Sequence, residues 1–156
     1  MKLPPVSSCV VLALAASSTP TLAADTKVGG YVAYLTTIQE QSALPAGGSL
    51  LRVHQKGIIV DAGPPGPLDH NRQDCDGILV MSADGKHAPG AGYCDAIDKD
   101  GDRWAMWWKT VDDVNTWGVV WGTGKYAGMT GGGGTDELQS YPDGDLIRYE
   151  GVLHLK

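Results

Sequence analysis

The hydrophobic positions of this chain fall in short alternating runs, broken by turn residues about every ten positions. Successive side chains of a strand point to opposite faces, so such alternation marks half-buried strands, and no stretch beyond residue 24 carries a helical period. The pattern predicts strands over Val28–Ile38, Leu50–Val60, Cys75–Ser82, Gly92–Ile97, Asp102–Lys109, Thr116–Trp121, Thr135–Ser140 and Asp145–Leu155. Gly57 marks a bend or bulge in the second of these. Gln39–Ser49, with Pro45 and Gly47-Gly48, is a connection. Asp61–Asp69 (DAGPPGPLD) cannot be regular, because its prolines remove donors and fix the backbone. Asp-Gly in Asp98-Lys99-Asp100-Gly101 is the strongest hairpin signal, and Asp112-Asp113 and Tyr141-Pro142-Asp143-Gly144 are further turns. About eight strands with hairpin-length links predict an all-β fold, an antiparallel β-barrel closed so that no edge is free.

The start of the chain breaks this pattern. Lys2, the apolar run Val10–Ala16 and the small residues of Thr21-Leu22-Ala23-Ala24 read as a secretory signal peptide over residues 1–24. The apolar run is too short for a membrane span. Val6-Ser7-Ser8-Cys9 resembles a lipoprotein box, but its cysteine precedes the apolar run instead of ending it. One domain over residues 25–156 remains, long enough to bury a core. The expected location is secreted or periplasmic.

Composition then narrows the function classes. The formal charge is −6, one unit more negative without Lys2, and no basic cluster interrupts it. Phosphate contacts need Lys and Arg, so nucleic acid is excluded as a partner. Beyond the leader only Cys75 and Cys94 remain, and an even count in an exported chain reads as one disulfide. Two buried thiols are the alternative; a metal site lacks the CxxC or paired His that would accompany it.

Several motifs invite chemistry. Gly122–Gly134 (GTGKYAGMTGGGG) holds seven of the 22 glycines and sets Lys125 among them, as a phosphate loop would. The spacing fits neither GxxxxGK[ST] nor GxGxxG, and no helix follows, so a structural corner is the stronger reading. Asp98-Lys99-Asp100-Gly101-Asp102 hints at calcium, but Arg103 and Lys109 stand where an EF-hand loop needs Gly and Glu. His54, His70, His87 and His154 have no paired spacing, and no GxSxG elbow exists. No metal and no cofactor is expected.

The tryptophans carry more. Alternation puts Trp104, Met106 and Trp108 on one face and Trp107 on the other, and groups Trp117, Val119 and Trp121 on the next strand. The chain has no Phe, so Trp and Tyr must fill the barrel. These residues are either plain core or the aromatic wall of a ligand site, since small barrels hold one ligand in the mouth. On the last strand Arg148, Glu150 and His154 share a face, and Ile147, Tyr149, Leu153 and Leu155 take the other. The polar face is either solvent-facing or the lining of a cavity.

Trp121–Gly131 and the following glycines up to Thr135 resemble the GGTGKYAGITGSGT stretch of small secreted bacterial proteins of the allene oxide cyclase-like barrel group, which plant dirigent proteins also resemble. The Asp98–Asp102 hairpin and Tyr149-Glu150-Gly151 match the same pattern. The resemblance implies an eight-stranded, allene oxide cyclase- or lipocalin-like barrel, often a homo-oligomer (trimers or dimers), with an internal pocket and no cofactor. It transfers no catalytic residue. The resulting expectation is a barrel that binds a small hydrophobic or aromatic molecule with Trp104, Trp108, Trp117 and Trp121. If it isomerises or cyclises that molecule, Glu150, Tyr149, His154 and Arg148 are the candidate proton-handling groups. The competing expectations are a structural or interaction barrel and a glycan-binding module using Trp107.

Overall fold

A computed structural model describes residues 24–156 of the chain. Apart from Ala24, the expected signal peptide lies outside the described residues. Eight strands follow one another: β1 (Ala24–Ala43), β2 (Ser49–Asp61), β3 (Arg72–Met81), β4 (Gly90–Ile97), β5 (Arg103–Val111), β6 (Val114–Gly122), β7 (Thr130–Tyr141) and β8 (Gly144–Leu155). Each pairs antiparallel with its neighbours in sequence, and β1 pairs with both β2 and β8, closing the barrel. Val32 shows the closure: its partners are Ile59 on one side and Ile147 on the other. No helix among the described residues is long and apolar enough to cross a membrane.

Alternation decides which residues face inward. On β1 the even positions Val28 and Val32 are buried, on β2 Val53 and Ile59, and on β5 Trp104 and Met106. Cys75 of β3 and Cys94 of β4 stand directly opposite each other on the inner face, with Cα atoms 4.0 Å apart and sulfurs at bonding distance. The pair is built to form a disulfide, which is compatible with an oxidising compartment.

The two ends of the barrel differ. At one end lie the connections β1–β2, β3–β4, β5–β6 and β7–β8. The opposite end is sealed by the long β2–β3 link and by the β6–β7 connection, which contains a short 3₁₀ turn, Gly124–Tyr126. Leu68, Asn71, Tyr126 and Met129 are all buried there. The Tyr126 hydroxyl donates to the Pro67 carbonyl (2.7 Å) and accepts from Asn71 Nδ2 (3.0 Å). Tyr126 therefore ties the two irregular segments into one plug.

This plug explains the first half of the glycine stretch. Gly124 has φ +50°, and a Cβ there would collide with the Asp102 carboxylate, so glycine is required at this turn. Lys125 donates its backbone N–H to Asp102 Oδ2 (3.1 Å) and places its ammonium 2.6 Å from Asp98 Oδ2. Asp98 Oδ1 in turn accepts the N–H groups of Asp100 (2.7 Å) and Asp102 (3.0 Å), an Asx-type hairpin turn. The lysine that hinted at phosphate binding is spent on this corner. The second half of the stretch departs from the expected connection. Gly131–Gly134 belong to β7 and pair with β8, so the strand begins five residues before Thr135.

Candidate functional site: an aromatic cavity

Above the plug the barrel encloses a cavity of about 340 Å³ that opens at the end opposite the plug. Ile59, Leu68 and Trp104 form its floor, and Tyr34, Trp108, Trp117 and Tyr149 its walls. The space exists because large rings lie against glycines on neighbouring strands. Trp108 pairs with Gly92, which pairs with Gly77; a Cβ on Gly92 would sit 2.6 Å from the indole. Trp117 pairs with Gly133, which pairs with Gly151, and a Cβ on Gly151 would sit 2.8 Å from the Trp117 ring. Tyr34 lies in the same way on Gly57. Gly57 thus serves a ring and lies in unbroken register, where a bend or bulge was expected.

The polar groups of the cavity are wired into its wall. Tyr34 donates its hydroxyl to Gln73 Oε1, and burial pushes that phenol far above its ordinary pKa. Tyr149 donates to Asp61 Oδ1. Burial first, and then this bond and the charges of Asp61 and Asp69, push the Tyr149 phenol far up as well. Gln55 donates to Thr36 Oγ1 (3.0 Å), Thr36 donates to Asp145 Oδ2 (3.3 Å), and Ser140 donates to Asp145 Oδ1 (2.7 Å). Trp104, Trp108 and Trp117 keep indole N–H groups that are shielded and have no partner.

Of the tryptophans expected in a ligand wall, Trp104, Trp108 and Trp117 come together here and Trp121 does not. Val120 is an extra residue in β6: Ala105 pairs with Trp121 but Met106 pairs with Val119. The bulge shifts the alternation by one, turning Trp121 to the outer surface, where it is 45% exposed. A two-residue period carries no mark of such an insertion, so the grouping of Trp117 with Trp121 failed for that reason.

The last strand resolves its ambiguity in the same terms. Tyr149 faces the cavity, while Arg148, Glu150 and His154 point outward. Arg148 pairs with Asp136 (2.5 Å) and His154 with Asp25 (2.7 Å), both on the outer wall. The expected grouping of these four as one proton-handling set is therefore split by the barrel wall. Asp61, which the sequence placed only in an irregular link, is the acid that meets Tyr149. Its signal was slight: a lone Asp closing an apolar strand before a Pro-rich loop. His54 sits on the outer wall between Asp74 (3.3 Å) and Asp76 (3.4 Å), the one cluster of metal-ligand types among the described residues, and ordinary ion pairing accounts for it.

Comparison with solved structures places this architecture. The chain is similar to the pterocarpan synthase dirigent protein PsPTS1, with a TM-score of 0.57 and 13% identity over 86% of this chain and 97% of that one. The pterocarpan synthase dirigent protein GePTS1 gives a TM-score of 0.53 and 15% identity over 93% and 100%. A protein of unknown function from the DUF3224 family of Shewanella oneidensis MR-1 gives 0.64 and 17% over 85% and 99%. At these identities the likeness is one of fold, a dirigent-like barrel. No family model and no curated protein matches the sequence.

Proposed function

We propose that this protein is an exported, cofactor-independent barrel that takes a small hydrophobic or aromatic molecule into its interior. The observation that carries this reading is the cavity of about 340 Å³ walled by Trp104, Trp108 and Trp117, within the range of small-molecule sites. The dirigent-like fold and the glycine motif of the allene oxide cyclase-like group support it, since both belong to barrels with an internal pocket. In a catalytic version of the reading, the cavity holds one conformer of the guest and Tyr149 with Asp61 handles the proton. The Tyr149 phenol is too weak an acid to ionise alone, so it passes a proton on to Asp61 as it accepts one.

The test uses N-phenyl-1-naphthylamine, a neutral fluorescent probe. Binding should raise its emission, quench tryptophan fluorescence and saturate at one probe per chain. Trp108→Ala should weaken this binding by about tenfold or more, as loss of a buried aromatic contact implies. A folded wild-type protein that leaves the probe dark refutes the reading.

A second reading rests on the outer wall. Trp121 and Tyr93 are exposed beside a shallow groove that also includes Asp74, Asp95 and Arg103, the mixture of aromatic faces and polar groups that a glycan needs. Retention on insoluble polysaccharide that is lost in Trp121→Ala and kept in Trp108→Ala would favour it over the cavity.

A further inference from the structure

Charge is distributed unevenly around the cavity, and this bears on what can enter it. The rim carries the carboxylates of Asp113, Glu137 and Asp145 and a single ammonium, that of Lys109. Lys109 does not neutralise them, because its Nζ lies 5.6 Å from the centre of the Trp107 ring, which is on the outer face. Asp113 meets the ring of His87 at 3.0 Å. Asp145 and Glu137 have no ion-pair partner among the described residues. Asp145 is half-buried and inward-facing, directly opposite Tyr34 on β1.

The hydrogen bonds below the rim run the same way. Thr36 and Ser140 spend their protons on Asp145, and Tyr34 and Tyr149 spend theirs on Gln73 and Asp61. A hydroxyl whose proton is committed to the wall turns lone pairs towards its other neighbours. A guest reaching this cavity meets acceptors and negative charge at the rim and aromatic rings beneath it. Rings attract a cation through their negative faces, and carboxylates at the mouth focus the same sign of guest.

We infer that the cavity selects an organic cation: an aromatic or aliphatic amine, its ring or chain among Trp104, Trp108 and Trp117 and its ammonium at Asp145 and Glu137. Carboxylic acids of the same skeleton are excluded. This rests on the proposed small-molecule site and adds the class of guest it admits.

The experiment is displacement of N-phenyl-1-naphthylamine by two guests of one skeleton, 1-naphthylmethylammonium and 1-naphthoate, at pH 7 and fixed salt. The ammonium should displace the probe at a concentration about tenfold or more below that needed for the naphthoate. Asp145→Asn, which removes the charge and keeps one of the two acceptor oxygens used by Thr36 and Ser140, should cut the preference severalfold, and Glu137→Gln should reduce it further when combined. Asp74→Asn, an equal change of charge on the outer wall, should leave it intact. Neutral-probe binding with equal displacement by both guests, or with the naphthoate stronger, overturns the inference and leaves the small-molecule site standing. A preference lost equally in Asp74→Asn also overturns it, because overall charge would then be its source. Failure of the neutral probe itself refutes the underlying site.

Discussion

Tyr126 offers the sharpest test of how this chain is held together. Its side chain is fully buried, and its hydroxyl joins the Pro67 carbonyl and Asn71 Nδ2 across the barrel's closed end. Tyr126→Phe keeps the ring but removes both bonds, leaving a half-buried carbonyl and a buried amide without that partner. Orphaning buried polar groups costs about 1–3 kcal/mol. Asn71 Nδ2 retains a contact to Pro67 O at 3.2 Å, which argues for the middle of the range, about 2 kcal/mol. For a domain of this size each kcal/mol lowers Tm by about 3–5 °C, so Tyr126→Phe should melt about 6–10 °C early. Tyr126→Ala loses the ring as well, including its contact with Trp104 at 6.4 Å between centroids, and should cost about 3–5 kcal/mol. Urea unfolding followed by tryptophan fluorescence gives both values, with unchanged m as the check on two-state behaviour. In a double-mutant cycle Tyr126→Phe and Asn71→Ala should be strongly non-additive. A Tyr126→Phe loss below about 0.5 kcal/mol, additive with Asn71→Ala, would show that the hydroxyl does not hold the plug.

Two further outcomes follow from the same geometry. Cys75 and Cys94 close a loop of sequence separation 19, so the oxidised protein should exceed Cys75→Ser/Cys94→Ser in stability by about 3 kcal/mol on the chain-entropy model. Equal urea midpoints with and without reductant would contradict this. His87, on the β3–β4 connection, has its pKa raised, first by its hydrogen bond to Asp113 and then by that carboxylate's charge, which outweigh the cost of burial, with a lesser pull from Asp84. Its folded-state pKa exceeds the unfolded one, so its contribution is complete below the ordinary histidine range and lost as pH rises through the raised value. An NMR titration should show His87 titrating above a free histidine, and Asp113→Asn should bring it down; no change in that variant would remove Asp113 as the cause.

How much of this was legible in the sequence depended on whether a feature obeys a local period. The strand count and the closed barrel follow from alternation and turn chemistry, both local, and the Cys75–Cys94 pairing from an even cysteine count in a chain expected to be exported. Trp104 and Trp108 were placed correctly because β4 and β5 pair without an irregularity. Trp121 was not, because the bulge at Val120 depends on which residue β5 places opposite it, and pairing is non-local. The polar face of β8 could not be assigned at all: closure alone decides that Tyr149 is inside while Arg148, Glu150 and His154 are out. Asp61 escaped for the same reason, since its meeting with Tyr149 spans the barrel.

The glycine content connects these observations to the cavity. A barrel of eight strands has an interior that ordinary side chains fill, yet this one keeps open space despite three inward tryptophans. The resolution is that each large ring stands across from a position with no Cβ: Trp108 on Gly92 and Gly77, Trp117 on Gly151, Tyr34 on Gly57. A ring lying back against a bare strand contributes its face to the wall and leaves the axis empty. Replacing such a glycine with any larger residue would push the ring towards the axis and into the cavity. The run Gly131–Gly134 therefore serves two ends at once. Its upstream neighbours seal one end of the barrel, and a Cβ at Gly133 would run into the Glu150 carbonyl of β8 and force the two strands apart. The open space inside this barrel is written as much in the residues that lack side chains as in the aromatic ones beside them.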